Sequence, residues 1–284
     1  DDLKWNQLSY ASKIDGVQGV VSGTVSTLRM ISFYGRASYS YKGRYSFQAT
    51  LRRDGSSAFG VNNRWATFPS VSAAWNIAEE DFLKGGAFDQ LKLRAGYGVS
   101  GNSLGFDAFT ARATYGASGW FDYTDPESGV TSQKRTLAAT RNANPDLKWE
   151  STSMLNVGLD FSLLKGRFGG SIEVYDKETK DLIWDYAVST NIYPYGWMTA
   201  NVGDMSNKGI ELSLNAVPVQ TPDFSWTTTL NLSHNKNIVK AISKGDYSVD
   251  YIDQGNPNIG GFATANVQRI MEGYPLGTFY TWEW

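Results

Sequence analysis

The chain has 284 residues, 26 Lys and Arg against 28 Asp and Glu for a formal charge of −2, no Cys, one His, 29 Gly and 14% aromatic residues. A near-neutral balance without a basic run gives no drive toward a phosphate backbone, so nucleic acid is excluded as a partner, and the lack of Cys excludes disulfide scaffolds and thiolate metal sites. Charged residues reach only 19%, lean beside the roughly 25% of a soluble domain, and the excess lies in Gly, Tyr and Trp.

Asp1 and Asp2 open a polar segment with no apolar leader behind them. Residues 1–32 are expected to be an external loop segment entering the first strand. No apolar stretch approaches the roughly 20 residues of a membrane helix, so any membrane span has to be made of strands. From Phe33 the side chains alternate with period two in segments of about ten residues, the pattern of a transmembrane β-barrel. Phe33, Gly35, Ala37, Tyr39 and Tyr41 share one face, with Tyr34, Arg36, Ser38 and Ser40 on the other. After a turn at Lys42-Gly43, Tyr45, Phe47, Ala49 and Leu51 oppose Ser46, Gln48, Thr50 and Arg52. Val71, Ala73 and Trp75 follow, then Leu91, Leu93, Ala95, Tyr97 and Val99.

The second half repeats the pattern with Leu155 to Phe161, Phe168 toward Trp184, Ile210 to Leu214, Phe224 to Leu232 and a last stretch from Gly277 to Trp284. The prediction is all-β: a partial antiparallel transmembrane β-barrel with about nine strands over residues 33–284. Connections alternate in length, as barrels with short periplasmic turns and long external loops require. Lys42-Gly43, Leu163 to Gly166 and Val219 to Asp223 are short; Asp54 to Arg64, Gly101 to Glu150, Ser189 to Ala200 and Asn235 to Ala263 are long. Ile77 to Gln90 is long yet falls on the short side, and its acidic stretch reads as one helical turn at the periplasmic rim. An odd number of strands with two open edges leaves backbone groups unsatisfied in lipid, so further strands are expected before Asp1, after Trp284 or both.

The residues that could carry chemistry are few. Glu79, Glu80 and Asp81 are consecutive and do not face one another, which suits a solvated helix start better than an acid/base pair. Asp250, Asp253, Asn256 and Asn258 lack the Gly and bidentate Glu of a calcium loop, so neither a metal nor a cofactor is expected. His234 shares parity with Leu230 and Leu232 and faces outward, away from where a lumenal base would sit. No catalytic residue is assigned. Lumen-facing Arg36, Arg52, Lys92, Arg94 and Glu173 would line a transport path or hold a plug. Rings in two external loops are the candidate binding residues: Trp120, Phe121 and Tyr123, with Tyr115 nearby, and Tyr193, Tyr195 and Trp197. Sugars present apolar C–H faces that stack on rings, while the competing use of such rings is packing, an interfacial girdle or contact with a partner.

Six ordered blocks carry a family resemblance: Leu51 to Gly60, Asn63 to Ile77, Leu91 to Asn102, Asn144 to Glu150 (NPDLKWE), Asn201 to Ala216 and Gly273 to Tyr280. Together they resemble the C-terminal barrel portion of SusC-like TonB-dependent transporters (the SusC/RagA family) of Bacteroidetes. The resemblance implies a plug domain inside a barrel of about 22 strands, an outer-membrane location, a SusD-like surface lipoprotein over the external mouth, and the TonB complex as energy source. It implies import of a bulky nutrient, an oligosaccharide foremost and a peptide next, with outer-membrane lipid around the wall. Neither plug nor TonB box is visible in the chain. A passive porin or adhesin is the alternative, and a barrel hydrolase resting on His234 comes last.

Overall fold

The computed structural model describes residues 27–103, 105–245, 247–255 and 266–280. Its strands are β1 (Met30–Tyr41), β2 (Tyr45–Ser56), β3 (Trp65–Asn76), β4 (Phe88–Asn102), β5 (Thr114–Thr124), β6 (Thr131–Arg141), β7 (Glu150–Leu163), β8 (Phe168–Ala187), β9 (Trp197–Gln220), β10 (Ser225–Ala241), β11 (Ile252–Gln254) and β12 (Gln268–Ile270). Eight of them form one antiparallel sheet in the order β1-β2-β3-β4-β7-β8-β9-β10, and β5-β6 and β11-β12 form separate two-stranded sheets. The sheet is the predicted wall, and every strand pairs with its neighbour along the chain once the β5-β6 hairpin is set aside.

Alternation fixes the register, because slipping one residue would turn every apolar side chain to the wrong face. Tyr39 lies opposite Phe47, and Phe47 opposite Ala73. Ala73 lies opposite Ala95, and Ala95 opposite Val157. The row continues through Val174 and Ile210 to His234, so His234 stands on the apolar face as its parity predicts. Exposed rings and aliphatics such as Phe47, Val71, Leu155 and Ile210 lie along this face, the arrangement expected where lipid covers the wall.

Much of the polar face is paired within itself, though among the described residues Asn76 Oδ1 and Asn207 Oδ1 are buried without a partner. Arg94 donates to Glu173 at 2.6 Å and to Asp160 at 3.3 Å, and Asn156 donates to Glu173 at 3.0 Å. Gly158 makes room for the guanidinium, since a Cβ there would lie 2.6 Å from Arg94 Cζ. Arg36 donates to Gln48, and Arg52 to Asp54 at 2.7 Å. Four of the five predicted lumenal groups thus already have wall partners.

Turn chemistry closes the short end. Lys42 and Gly43 both have positive φ, 51° and 68°, and Arg44 N–H donates to Tyr41 O at 3.0 Å, a type I′ turn whose twist matches the strands it joins. The long connection on this side holds a 3-10 helix, Ile77–Glu79, where the sequence suggests one helical turn. Glu80 is not solvated as that reading expects. It is 8% exposed and accepts from Tyr45 Oη at 2.5 Å, Trp75 Nε1 at 3.0 Å and Arg44 Nη1 at 3.0 Å. The first of these bonds, to the Tyr45 hydroxyl, does most to hold the Glu80 carboxyl below the usual carboxylate range, and the Trp75 indole adds to it. The acidic turn is therefore pinned beneath the first three strands.

Three further departures concern extent. Gly101 to Glu150, expected as one loop, contains the β5-β6 hairpin. Strands β8 and β9 run to 20 and 24 residues, well past the membrane-length segments read from alternation, because their external halves pack against loops. The ninth predicted strand is not present among the described residues: Gly277 to Tyr280 contributes one isolated bridge, Phe279 to Gln268, and residues 281–284 lie outside them, as do residues 1–26 of the expected entering segment.

Candidate functional site

The external end is an ordered platform with its own core. Phe59, Phe68, Ala111, Leu147 and Trp149 form a buried cluster. Phe59 and Trp149 rings stand 4.6 Å apart, and the Trp149 indole donates to Arg64 O at 3.0 Å. Two of the sequence blocks meet here. Gly60 N–H donates to Leu147 O at 2.8 Å, and a Cβ on Gly60 would stand 2.1 Å from Pro145 O, so only glycine allows this approach.

From this platform the NPDLKWE segment is tied to the external half of β9 by carboxamides. Asn142 Nδ2 donates to Tyr195 O at 2.6 Å and Trp197 O at 2.8 Å, while its Oδ1 accepts from Tyr195 N–H at 3.2 Å. Asn144 donates to Thr199 O at 2.8 Å. Asn201 both accepts from Lys148 N–H and donates to Lys148 O, each at 2.8 Å. A side-chain amide carries donor and acceptor together and can stand in for a missing ladder pair. Asp181, at a positive φ of 59°, receives Lys148 at 2.7 Å and Lys244 at 2.9 Å, fastening the next loop to the same place.

Beside this seam opens a groove of about 710 Å³, lined among others by Asp107, Thr110, Arg141, Trp184, Asp185, Tyr195, Trp197 and Thr199. Arg141 Nη1 reaches both Asp107 oxygens, at 3.0 and 3.2 Å. Burial pulls the Asp107 carboxyl up, but the Arg141 bond, the Phe109 N–H and the Thr110 hydroxyl outweigh it and hold the group below the usual carboxylate range. Thr199 Oγ1 donates to Asp185 at 2.5 Å. Trp184 and Trp197 are 40% and 51% exposed. The groove thus offers ring faces next to oriented charges and hydroxyls, chemistry that grips a polar molecule with apolar patches.

The predicted rings divide three ways. Tyr195 and Trp197 line the groove. Tyr193 packs against the buried cluster of Tyr186, Met198, Ala200 and Val202. Trp120, Phe121 and Tyr123 lie on the β5-β6 hairpin, where Arg135 stacks 5.0 Å over the Trp120 ring and Phe121 meets Tyr123 edge-on. Sequence reasoning missed Asp107, Arg141, Trp184 and Asp185 as groove residues. Asn144 stood out in the sequence only as part of the NPDLKWE block, and Asn142 not at all. Asp253, weighed as a calcium ligand, is ion-paired with Arg269 at 2.8 Å, while Asn256 and Asn258 fall outside the described residues.

A two-faced antiparallel wall, tight turns at one end and long ordered loops at the other define an outer-membrane transmembrane β-barrel. The chain matches the TonB-dependent receptor-like β-barrel family over residues 1–283 and belongs to it; it is an outer-membrane protein. It is 37% identical to the TonB-dependent receptor SusC of Bacteroides thetaiotaomicron over 89% of the chain and 25% of that receptor. Three TonB-dependent receptors of Formosa agariphila are 34% to 36% identical over 89% to 98% of the chain. The chain spans about a quarter of the length of these curated relatives. The RagAB peptide importer in its closed-closed state superposes with a TM-score of 0.74 at 24% identity, over 93% of the chain and 27% of its own. A second structure, of the RagAB peptide transporter, gives 0.71 at 25% identity with the same coverage.

Proposed function

We propose that the chain forms part of the wall and external mouth of an active importer that draws a bulky nutrient, an oligosaccharide foremost, across the outer membrane. A SusD-like lipoprotein would close over the mouth and the TonB complex would supply the energy through the rest of the protein. The task is gated transport, not catalysis. The observation that carries this reading is the groove in which Trp184, Tyr195 and Trp197 stand beside Asp107, Arg141 and Asp185. Rings take the apolar faces of sugars, and the fixed charges orient hydroxyls.

Peptide cargo is the second reading. Two opposite charges held 3.0 Å apart in the groove suit peptide termini and charged side chains, and RagAB is described as a peptide importer. The test is binding of oligosaccharide and peptide ladders to the full-length protein, with Trp184→Ala and Trp197→Ala against Trp120→Ala. Losing both groove rings should weaken cargo binding about tenfold or more, at roughly 1 kcal/mol per stacking ring. Unchanged affinity would assign those rings to packing or to the lid, and the ladder that binds decides the cargo class.

A further inference from the structure

In the external half of the sheet Asp185 on β8 lies directly opposite Thr199 on β9, and Trp197 stands one pair step further out, opposite Ala187. Thr199 and Trp197 share the parity of Asn207 and Glu211 on β9, the polar face of the wall. Asp185 and Trp197 are thus diagonal neighbours on one face, at a separation of about 7–8 Å that an aromatic side chain can reach across.

The charges of the groove do not cancel. Its charged lining residues are Asp107, Arg141 and Asp185, two carboxylates against one guanidinium, and Arg141 is taken up by Asp107 at 3.0 Å. Asp185 is exposed. Its one side-chain bond among the described residues comes from Thr199 Oγ1 to Oδ1 at 2.5 Å, which fixes the carboxylate and leaves Oδ2 to accept. Two other exposed indoles are already covered by cations, Trp120 by Arg135 at 5.0 Å and Trp65 by Arg53 at 5.7 Å. Among the described residues no cation lies over Trp197, which is 51% exposed.

We propose that this groove selects an oligosaccharide bearing protonated amino sugars, one pyranose lying on the Trp197 indole with its ammonium at Asp185 Oδ2. The assignment rests on the groove being the cargo site and names the chemistry that site prefers. A pyranose gives the indole its C–H face, and as one rigid unit it spans the step from ring to carboxylate. The ammonium is drawn both by the ring quadrupole and by the unpaired charge. A neutral sugar uses only the ring, and an acidic one is repelled by Asp185. The two attractions together give roughly a tenfold preference for the amine.

The experiment is calorimetric titration of the full-length protein, in mildly acidic buffer, with glucosamine oligosaccharides and with the same oligosaccharides N-acetylated, which keeps every ring and removes every charge. The amine form should bind roughly tenfold tighter. Asp185→Asn should bring the two forms to equal affinity without weakening the acetylated one, whereas Asp122→Asn on the β5-β6 hairpin should keep the difference. Equal binding of the two forms by the wild-type protein, which decides even where the variant fails to assemble, would overturn the proposal, as would a preference that survives in Asp185→Asn. If Trp197→Ala still weakens both forms, the cargo groove stands without the amine. Binding of neither form, or of a lysine-bearing peptide in place of both, would overturn the proposal together with the oligosaccharide reading.

Discussion

The Asn142 carboxamide and the Tyr195 backbone satisfy one another in both directions, Nδ2 donating to Tyr195 O at 2.6 Å and Oδ1 accepting from its N–H at 3.2 Å. The two residues are 53 apart in sequence, and their bond holds one wall of the groove against the NPDLKWE seam.

In Asn142→Ala the residue, itself 3% exposed, makes neither this pair nor the bond to Trp197 O, and the Tyr195 and Trp197 backbone groups lose that partner at a cost of about 1 kcal/mol. Hydrogen exchange should quicken over residues 188–197 while the barrel wall stays protected. Exchange equal to wild type would show that the loop stands without the asparagine.

Gly60→Ala places a methyl 2.1 Å from the Pro145 carbonyl oxygen, a backbone atom that cannot swing aside. The expected cost is about 3 kcal/mol, the upper end for overpacking. The external core of Phe59, Leu147 and Trp149 should loosen, read as faster proteolysis of the external loops in intact cells. Gly43→Ala, with nothing within 4 Å of its Cβ but a φ of +68°, should leave those loops as resistant as wild type, because its strain falls on the periplasmic turn.

Glu80 sets a pH dependence at the periplasmic rim. Its carboxyl is held below the usual range by the Tyr45 hydroxyl first and the Trp75 indole second. A depressed folded-state value favours the charged native form, so the contribution is present above the unfolded carboxylate value near ~4.3 and is lost as pH falls through the folded one. Thermal unfolding followed from pH 7 downward should show wild type losing its advantage over Glu80→Gln only in that acid window. A constant gap between the two proteins across the range would remove Glu80 from the account.

The β5-β6 hairpin pairs only with itself in the sheet topology. Replacing residues 115–139 by a short Gly-Ser linker should leave the heat-dependent gel shift of an assembled barrel unchanged. Loss of that shift would mean the hairpin helps build the wall.

How much was legible can be followed residue by residue. Period-two alternation located eight strands and put His234 on the outward face, because burial against lipid acts on every second side chain and writes itself locally. The hairpin was hidden for the converse reason: Tyr115, Trp120 and Leu137 are all well exposed, so no buried face imposes a period. Only the turn at Asp125 to Gly129, where Asp125 accepts from the Glu127 and Ser128 N–H groups, could have signalled it.

The sequence by itself determined the wall, its polarity and its tight turns, since each depends on neighbours one, two or three residues away. The tertiary structure alone decided which loops meet. Asn142 with Tyr195 and Gly60 with Pro145 join positions with no shared period, and side-chain amides and close backbone approaches leave no pattern in a chain until it is folded.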